Sequence, residues 1–128
     1  MNIYLAAPWV CREDAQAARV QFEAAGIHVT SHWITRHVNP GANENPATLA
    51  AEAIEDVADL HAADAFVLLA FAKSEGKACE LGMAIERGLR TIIVGWGDNF
   101  HCMNVFYYLP TSEHVATVQE AINALHRA

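Results

Sequence analysis

Glu80 lies in the stretch Ser74-Glu75-Gly76-Lys77-Ala78-Cys79-Glu80-Leu81-Gly82-Met83-Ala84, where the sequence has most to offer chemically. A carboxylate exchanges protons or attacks an electrophilic centre when the fold places it in a crevice. The stretch follows the most apolar run of the chain, Ala65-Phe66-Val67-Leu68-Leu69-Ala70-Phe71, and precedes Thr91-Ile92-Ile93-Val94-Gly95. Two short apolar runs around about a dozen helical residues predict strand, helix and parallel strand, joined by a right-handed crossover. Ser74 to Glu80 then fall at the carboxyl edge of a parallel sheet, where open α/β folds bind their ligands. On position alone a solvated helix glutamate is the stronger reading; the edge makes Glu80 a candidate catalyst. Asp56 sits on a helix with Glu52, Glu55 and Asp59, and by itself reads as surface charge. Tyr4 and Trp9 flank the first turn, placed either to pack in the core or to wall a pocket.

Other chemistries are excluded by spacing. Gly76-Lys77 lacks the earlier glycine of a P-loop, and Ala78 replaces the magnesium-binding Ser or Thr. No Gly-x-Gly-x-x-Gly follows the first strand, and Gly95-x-Gly97 holds no serine nucleophile. His28 and His32 fall on a predicted strand, about 13 Å apart, so no metal site is expected. Asp64, just before the central strand, reads as structural. Gly82 costs about 1 kcal/mol relative to alanine inside a helix and calls for a reason such as close approach of another backbone.

The elements that must position these residues follow from periodicity and punctuation. Ile3 to Ala7 forms a strand stopped by Pro8, and Glu13 to Ala25 a helix with acidic residues in its first turn and Gly26 past its end. Ile27 to Trp33 alternates as a half-buried strand does. Asn39 to Asn43 is a loop of turn formers at the carboxyl edge. Asn45-Pro46 opens a helix through His61, with Leu49, Ala53, Ile54, Val57 and Leu60 as its apolar stripe and the acidic residues opposite. After the strand at Ala65 come the Glu80 helix, ending at Gly88, and the strand at Thr91. Gly95 to His101 is a second turn-rich loop, and Asn104 to Pro110 has room for one helical turn. His114 to Ala116 forms a short edge strand, and Thr117-x-x-Glu120 is a capping box opening a last helix. The fold class is α/β: a doubly wound parallel sheet of four to five strands with helices on both faces.

The 128 residues fit one domain, residues 1–128. An apolar share of 53% with 18% charged residues is globular, and no run reaches the roughly 18 apolar residues of a membrane helix. The start has no basic n-region, and Cys11, Cys79 and Cys102 are unpaired in spacing, so a reducing cytoplasmic setting is expected. A formal charge of −7 opposes a nucleic-acid backbone as partner and favours small molecules.

Ile3-Tyr4-Leu5-Ala6-Ala7-Pro8-Trp9, Glu55-Asp56-Val57 with Ala63-Asp64, Glu80-Leu81-Gly82-Met83-Ala84, and Asn104-Val105-Phe106 together resemble the nucleoside 2-deoxyribosyltransferase superfamily over most of the chain. That superfamily also contains 2′-deoxynucleoside 5′-phosphate and pyrimidine nucleotide N-hydrolases. The resemblance implies a flavodoxin-like homodimer or larger assembly that binds a small nucleoside or nucleotide and works without metal or cofactor. It makes Glu80 the nucleophile at C1′, Tyr4 the phenol that directs its carboxylate, and Asp56 the acid that exchanges a proton with the base. By the same resemblance Trp9 matches an aromatic beside the base, and Asn104 is near the position that reaches from a neighbouring subunit to the sugar 5′-hydroxyl. Where transferases of this kind carry Asp, six residues before the nucleophile, this chain has Ser74, whose hydroxyl beside Gly76 and a helix N-terminus suits a 5′-phosphate. The first loop lacks the Gly-Ser-Ile-Arg turn of the hydrolases, leaving Arg12 as a stand-in.

Three readings result: N-glycosidic cleavage with sugar transfer to another base, hydrolysis of a nucleoside 5′-monophosphate, and a non-catalytic nucleotide-binding module.

Overall fold

The computed structural model describes residues 1–36, 45–95 and 104–127. Its strands are β1 (Asn2–Ala6), β2 (His28–Val29), β3 (Ala65–Leu69), β4 (Arg90–Val94) and β5 (Ser112–Val115). They form one sheet in the order β2-β1-β3-β4-β5, every pair parallel. This is the flavodoxin-like order, with the reversal of winding between β1 and β3. Among the described residues four helices complete the frame: α1 (Arg12–Ala24), α2 (Pro46–His61), α3 (Glu75–Glu86) and α4 (Val118–His126). α1 and α4 touch on one face, and right-handed connections put α2 and α3 on the other.

β3 is buried on both faces along its whole length, as its unbroken apolar run requires. Its register with β1 pairs Tyr4 with Phe66, and the two rings stack with centroids 5.9 Å apart. The side chains of Ile3, Leu5, Leu68, Leu69 and Ile92 are fully buried around them. Each such side chain contributes about 1.5–3 kcal/mol over leaving it in water, so β1 and β3 make a rigid base for whatever their carboxyl ends carry. Asp64 fixes the start of this pair by accepting a 2.8 Å hydrogen bond from the Asn2 amide.

The helix boundaries have local causes. The Asn45 carboxamide accepts from the amides of Ala47 and Thr48, and Pro46 occupies the first helical position of α2. Thr117 caps α4 through the Glu120 amide, while Glu120 reaches back to the Ala116 amide. α1 ends before Gly26, whose φ of +81° is the left-handed turn a β-carbon disfavours.

Three expectations are corrected. The strand predicted over Ile27–Trp33 shrinks to His28–Val29, because side chains take over the pairing with β1. The Ser31 hydroxyl accepts from the Leu5 amide at 2.7 Å and donates to the Leu5 carbonyl at 3.0 Å, and residues 32–35 then coil into a 3-10 turn. The second correction concerns α2, whose expected apolar stripe is not its inner face. Ile54 is 71% exposed and Val57 is also exposed, with Leu60 alone of that stripe buried. The acidic side turns inward because it finds partners there: buried Asp59 accepts from the His32 amide at 2.9 Å and faces the His32 ring at 2.7 Å. Gly82 also differs from expectation, since a β-carbon there would meet nothing within 4 Å. The loop at 39–43, the stretch 96–101 and Cys102 lie outside the described residues. Among the described residues no helix is long and apolar enough to cross a membrane.

Candidate active site

The carboxyl ends of β1 and β3 diverge at the switch point, and a cavity of about 370 Å³ opens there. Ala7 and Trp9 line it from the turn after β1, Trp33 and Arg36 from the turn after β2, and Glu52 and Asp56 from α2. Ser74, Gly76, Lys77 and Glu80 line it from α3. The site is thus assembled from segments that follow three different strands, each held at its root by the buried sheet.

Glu80 occupies the second turn of α3 and is only partly exposed. Burial pushes its carboxyl up to about 8 from 4.5, opposed by the Tyr4 hydroxyl and by Arg36, and reinforced by the charge of Asp56. Tyr4 does not line the cavity. It is fully buried in β1, and its hydroxyl has no hydrogen bond of good geometry, although it interacts with Glu80 as a bond to that carboxylate would. Burial, then the negative charges of Glu80 and Asp56, push the Tyr4 phenol up, so it stays a proton donor.

Asp56 is 24% exposed, and burial raises its carboxyl while Arg36 lowers it. The guanidinium donates to Asp56 Oδ2 at 3.4 Å; Nη2 also lies 2.9 Å from Oδ1, at an angle too poor for a hydrogen bond, which leaves Oδ1 a buried acceptor in ion-pair contact only. Trp9 and Trp33, both in the lining, lie 6.5 Å apart in a tilted pair, and the Trp33 indole N–H donates to the Leu5 carbonyl at 2.9 Å. A cavity lined by two indoles as well as acids offers aromatic surface that suits a flat heteroaromatic ring.

Ser74 caps α3, its hydroxyl accepting from the Lys77 amide at 3.3 Å, so the helix N-terminus opens on the cavity beside Gly76. Arg12 is not in the lining; its guanidinium lies over the Trp9 ring at 5.1 Å. Asn104 is not brought to Glu80 within the chain. It caps the 3-10 turn Val105–Tyr108 and lines a second, apolar cavity of about 500 Å³ with Phe106 and Gly82, on the outer side of α3.

Arg36 and Lys77 are the site residues that sequence reasoning missed. Arg36 is the only Arg or Lys between Arg19 and Lys73, a signal present in the sequence, since the acids around it need a counter-charge. Lys77 is buried, donates to the Ala72 carbonyl at 2.5 Å and lies 5.4 Å from the Tyr107 ring centre. Among the described residues, His32, Glu55 and Asp59 bring ligand atoms within 4.8 Å of one another. Each is already engaged, Glu55 by Arg36 at 2.7 Å and His32 by Asp59, so the cluster serves α2.

No family model and no curated protein matches the chain. Solved structures do. A conserved protein from Enterococcus faecalis V583 superposes with a TM-score of 0.74 at 16% identity, over 99% of this chain and 98% of the other. The 2-deoxyribosyltransferase from the psychrotolerant bacterium Bacillus psychrosaccharolyticus gives 0.69 at 16% identity, over 96% and 91%. The Clostridium botulinum CMP N-glycosidase BcmB gives 0.62 at 14% identity, over the full length of both chains. At these identities the likeness establishes a common fold: this chain is built as those three proteins are.

Proposed function

We propose that this chain cleaves the N-glycosidic bond of a 2′-deoxynucleoside and transfers the sugar to another nucleobase, with Glu80 as nucleophile. The observation that carries the reading is the meeting of Glu80 and Asp56 in one indole-walled cavity, with the Tyr4 phenol coupled to both. An oxygen of ionised Glu80 bonds to C1′ as the C1′–N bond breaks. The electron pair leaves with the base, whose ring nitrogen takes a proton from Asp56. A second base then attacks C1′, releases the Glu80 carboxylate and returns a proton to Asp56. Tyr4 directs the Glu80 carboxylate, and Trp9 and Trp33 hold the base. The likeness to the deoxyribosyltransferase supports transfer. No residue of this scheme calls for a metal or cofactor.

A second copy completes the reading. Val105 and Phe106 are 73% and 58% exposed beside Asn104, and the second cavity lies next to them, which supports a homodimer that carries Asn104 to the sugar 5′ end of the other subunit's site.

A second reading has its own support. Ser74 and Gly76 at the α3 N-terminus, with Lys77 next to them in the lining, suit a 5′-phosphate, and BcmB is a CMP N-glycosidase. In that case water replaces the second base, and the products are free base and sugar phosphate.

The test is a panel of nucleosides and nucleoside 5′-monophosphates, each incubated with and without a second free base. Transfer predicts a new nucleoside that appears only with the second base, a kcat/KM that climbs toward about pH 8, and loss of turnover in a folded Glu80→Ala protein. Activity that requires the 5′-phosphate and falls in Ser74→Ala selects the hydrolase. Ligand binding without turnover on any member leaves a nucleotide-binding module.

A further inference from the structure

Arg36 engages several partners at the cavity. It leaves the turn after β2, is 14% exposed, and reaches across to α2. There Nη2 donates to Glu55 Oε1 at 2.7 Å and to the Glu52 carbonyl at 3.2 Å, while Nη1 donates to Asp56 Oδ2 at 3.4 Å. Three acceptors on successive turns of one helix fix a planar guanidinium far better than a single ion pair would. The placement also accounts for the reversed face of α2, because the acids turned inward meet this cation.

We propose that Arg36 is a positioning residue of the site, an inference that rests on the function proposed above: it locks the Asp56 carboxyl against the cavity and supplies the positive charge that stabilises Glu80 as the attacking carboxylate and Asp56 as the carboxylate left once its proton has gone to the base. Two carboxylates in one partly buried cavity repel each other and lose hydration, and both effects favour the protonated forms. Among the described residues the groups around them are Tyr4 from β1, Glu52, Glu55 and Asp59 from α2, and Lys77 from α3. His32, from the turn that carries Arg36, faces Asp59. The acids among them add to the repulsion, and among the described residues Arg36 is the cation in contact with Asp56. Its charge lowers the carboxyls of both Asp56 and Glu80 against the burial that raises them. The residue has no contact with the reacting atoms in this scheme and acts through the two that do.

The experiment is a carbon-13 NMR titration of the side-chain carboxyls in the wild type, Arg36→Met, Arg36→Gln and Arg36→Lys, with signals assigned through Asp56→Asn and Glu80→Gln. In Arg36→Met and Arg36→Gln the Asp56 midpoint should rise by about one pH unit or more, and that of Glu80 should rise with it. Arg36→Lys keeps the charge without the planar fork, so its midpoints should stay near the wild type. An Asp56 midpoint that is the same in the wild type and in the neutral variants overturns the proposal. So does loss of folding by both neutral variants at acid and alkaline pH alike, since that makes Arg36 a structural residue. The titration needs no turnover. A protein inactive on every nucleoside would sink the proposed function and leave this result standing. In an active protein the acid limb of kcat/KM should move with the Glu80 midpoint.

Discussion

A carboxyl pushed up to about 8 from 4.5 is neutral in the folded chain over a pH range where the unfolded chain holds it ionised. Between those two values the folded state binds the extra proton, so stability contributed at Glu80 is complete below about 4.5, declines as pH rises, and levels off above about 8. Glu80→Gln mimics the protonated side chain and does not titrate. Its melting temperature should therefore match the wild type in acid and exceed it increasingly toward pH 8, by an amount worth a few kcal/mol. Thermal melts of both proteins across that range check the sign. A difference that does not change with pH would mean that Glu80 is hydrated in solution and not held in the cavity. The gain in stability on removing a charged group, with loss of activity, is the pattern expected where a site holds a charge the fold itself does not need.

At the scale of elements, the parts of the chain governed by local chemistry were legible. The apolar run at Ala65–Phe71, the Asn45-Pro46 start of α2 and the Thr117 cap each work within a few residues, and each element begins where its signals put it, β3 ending at Leu69. The 3-10 turn at 32–35 was not, because what ends β2 is a pair of hydrogen bonds between the Ser31 hydroxyl and the Leu5 backbone, one accepted and one donated by Ser31, residues far apart in sequence. The face of α2 was misread for a related reason. Periodicity shows that one side is apolar and the other acidic; which side faces inward was decided by Arg36 and His32, both contributed by the preceding turn. For the candidate site, Glu80, Asp56, Trp9, Ser74 and Gly76 were each named from sequence and line one cavity. Placing Glu80 at the sheet edge needed only the strand and helix pattern around it. Pairing it with Asp56 and Tyr4 needed the family likeness, since no spacing rule joins residues on β1, α2 and α3. Gly82 shows the limit of a conformational argument: its cost in the helix is real, but the space it leaves faces outward.

For the molecule as a whole, the exposed apolar residues are not spread evenly. Val105, Phe106 and Tyr108 stand together on the 3-10 turn that starts at Asn104, beside an apolar cavity on the outer face of α3. If a second copy covers this patch, Phe106→Glu should yield a monomer in sedimentation velocity and lower kcat/KM by about tenfold or more through loss of the borrowed Asn104. A wild-type chain that is monomeric and fully active would remove the second copy from the scheme and leave the cavity chemistry within one chain. That chemistry depends on Glu80 forming a bond to the sugar, and a direct measurement of the bond is available. The protein is mixed with a 2′-deoxynucleoside that it turns over, quenched in acid, digested and weighed peptide by peptide. The account predicts the added mass of one deoxyribosyl group on the peptide carrying Glu80, and none in Glu80→Gln. Turnover that leaves this peptide unmodified, or that persists in Glu80→Gln, would contradict it.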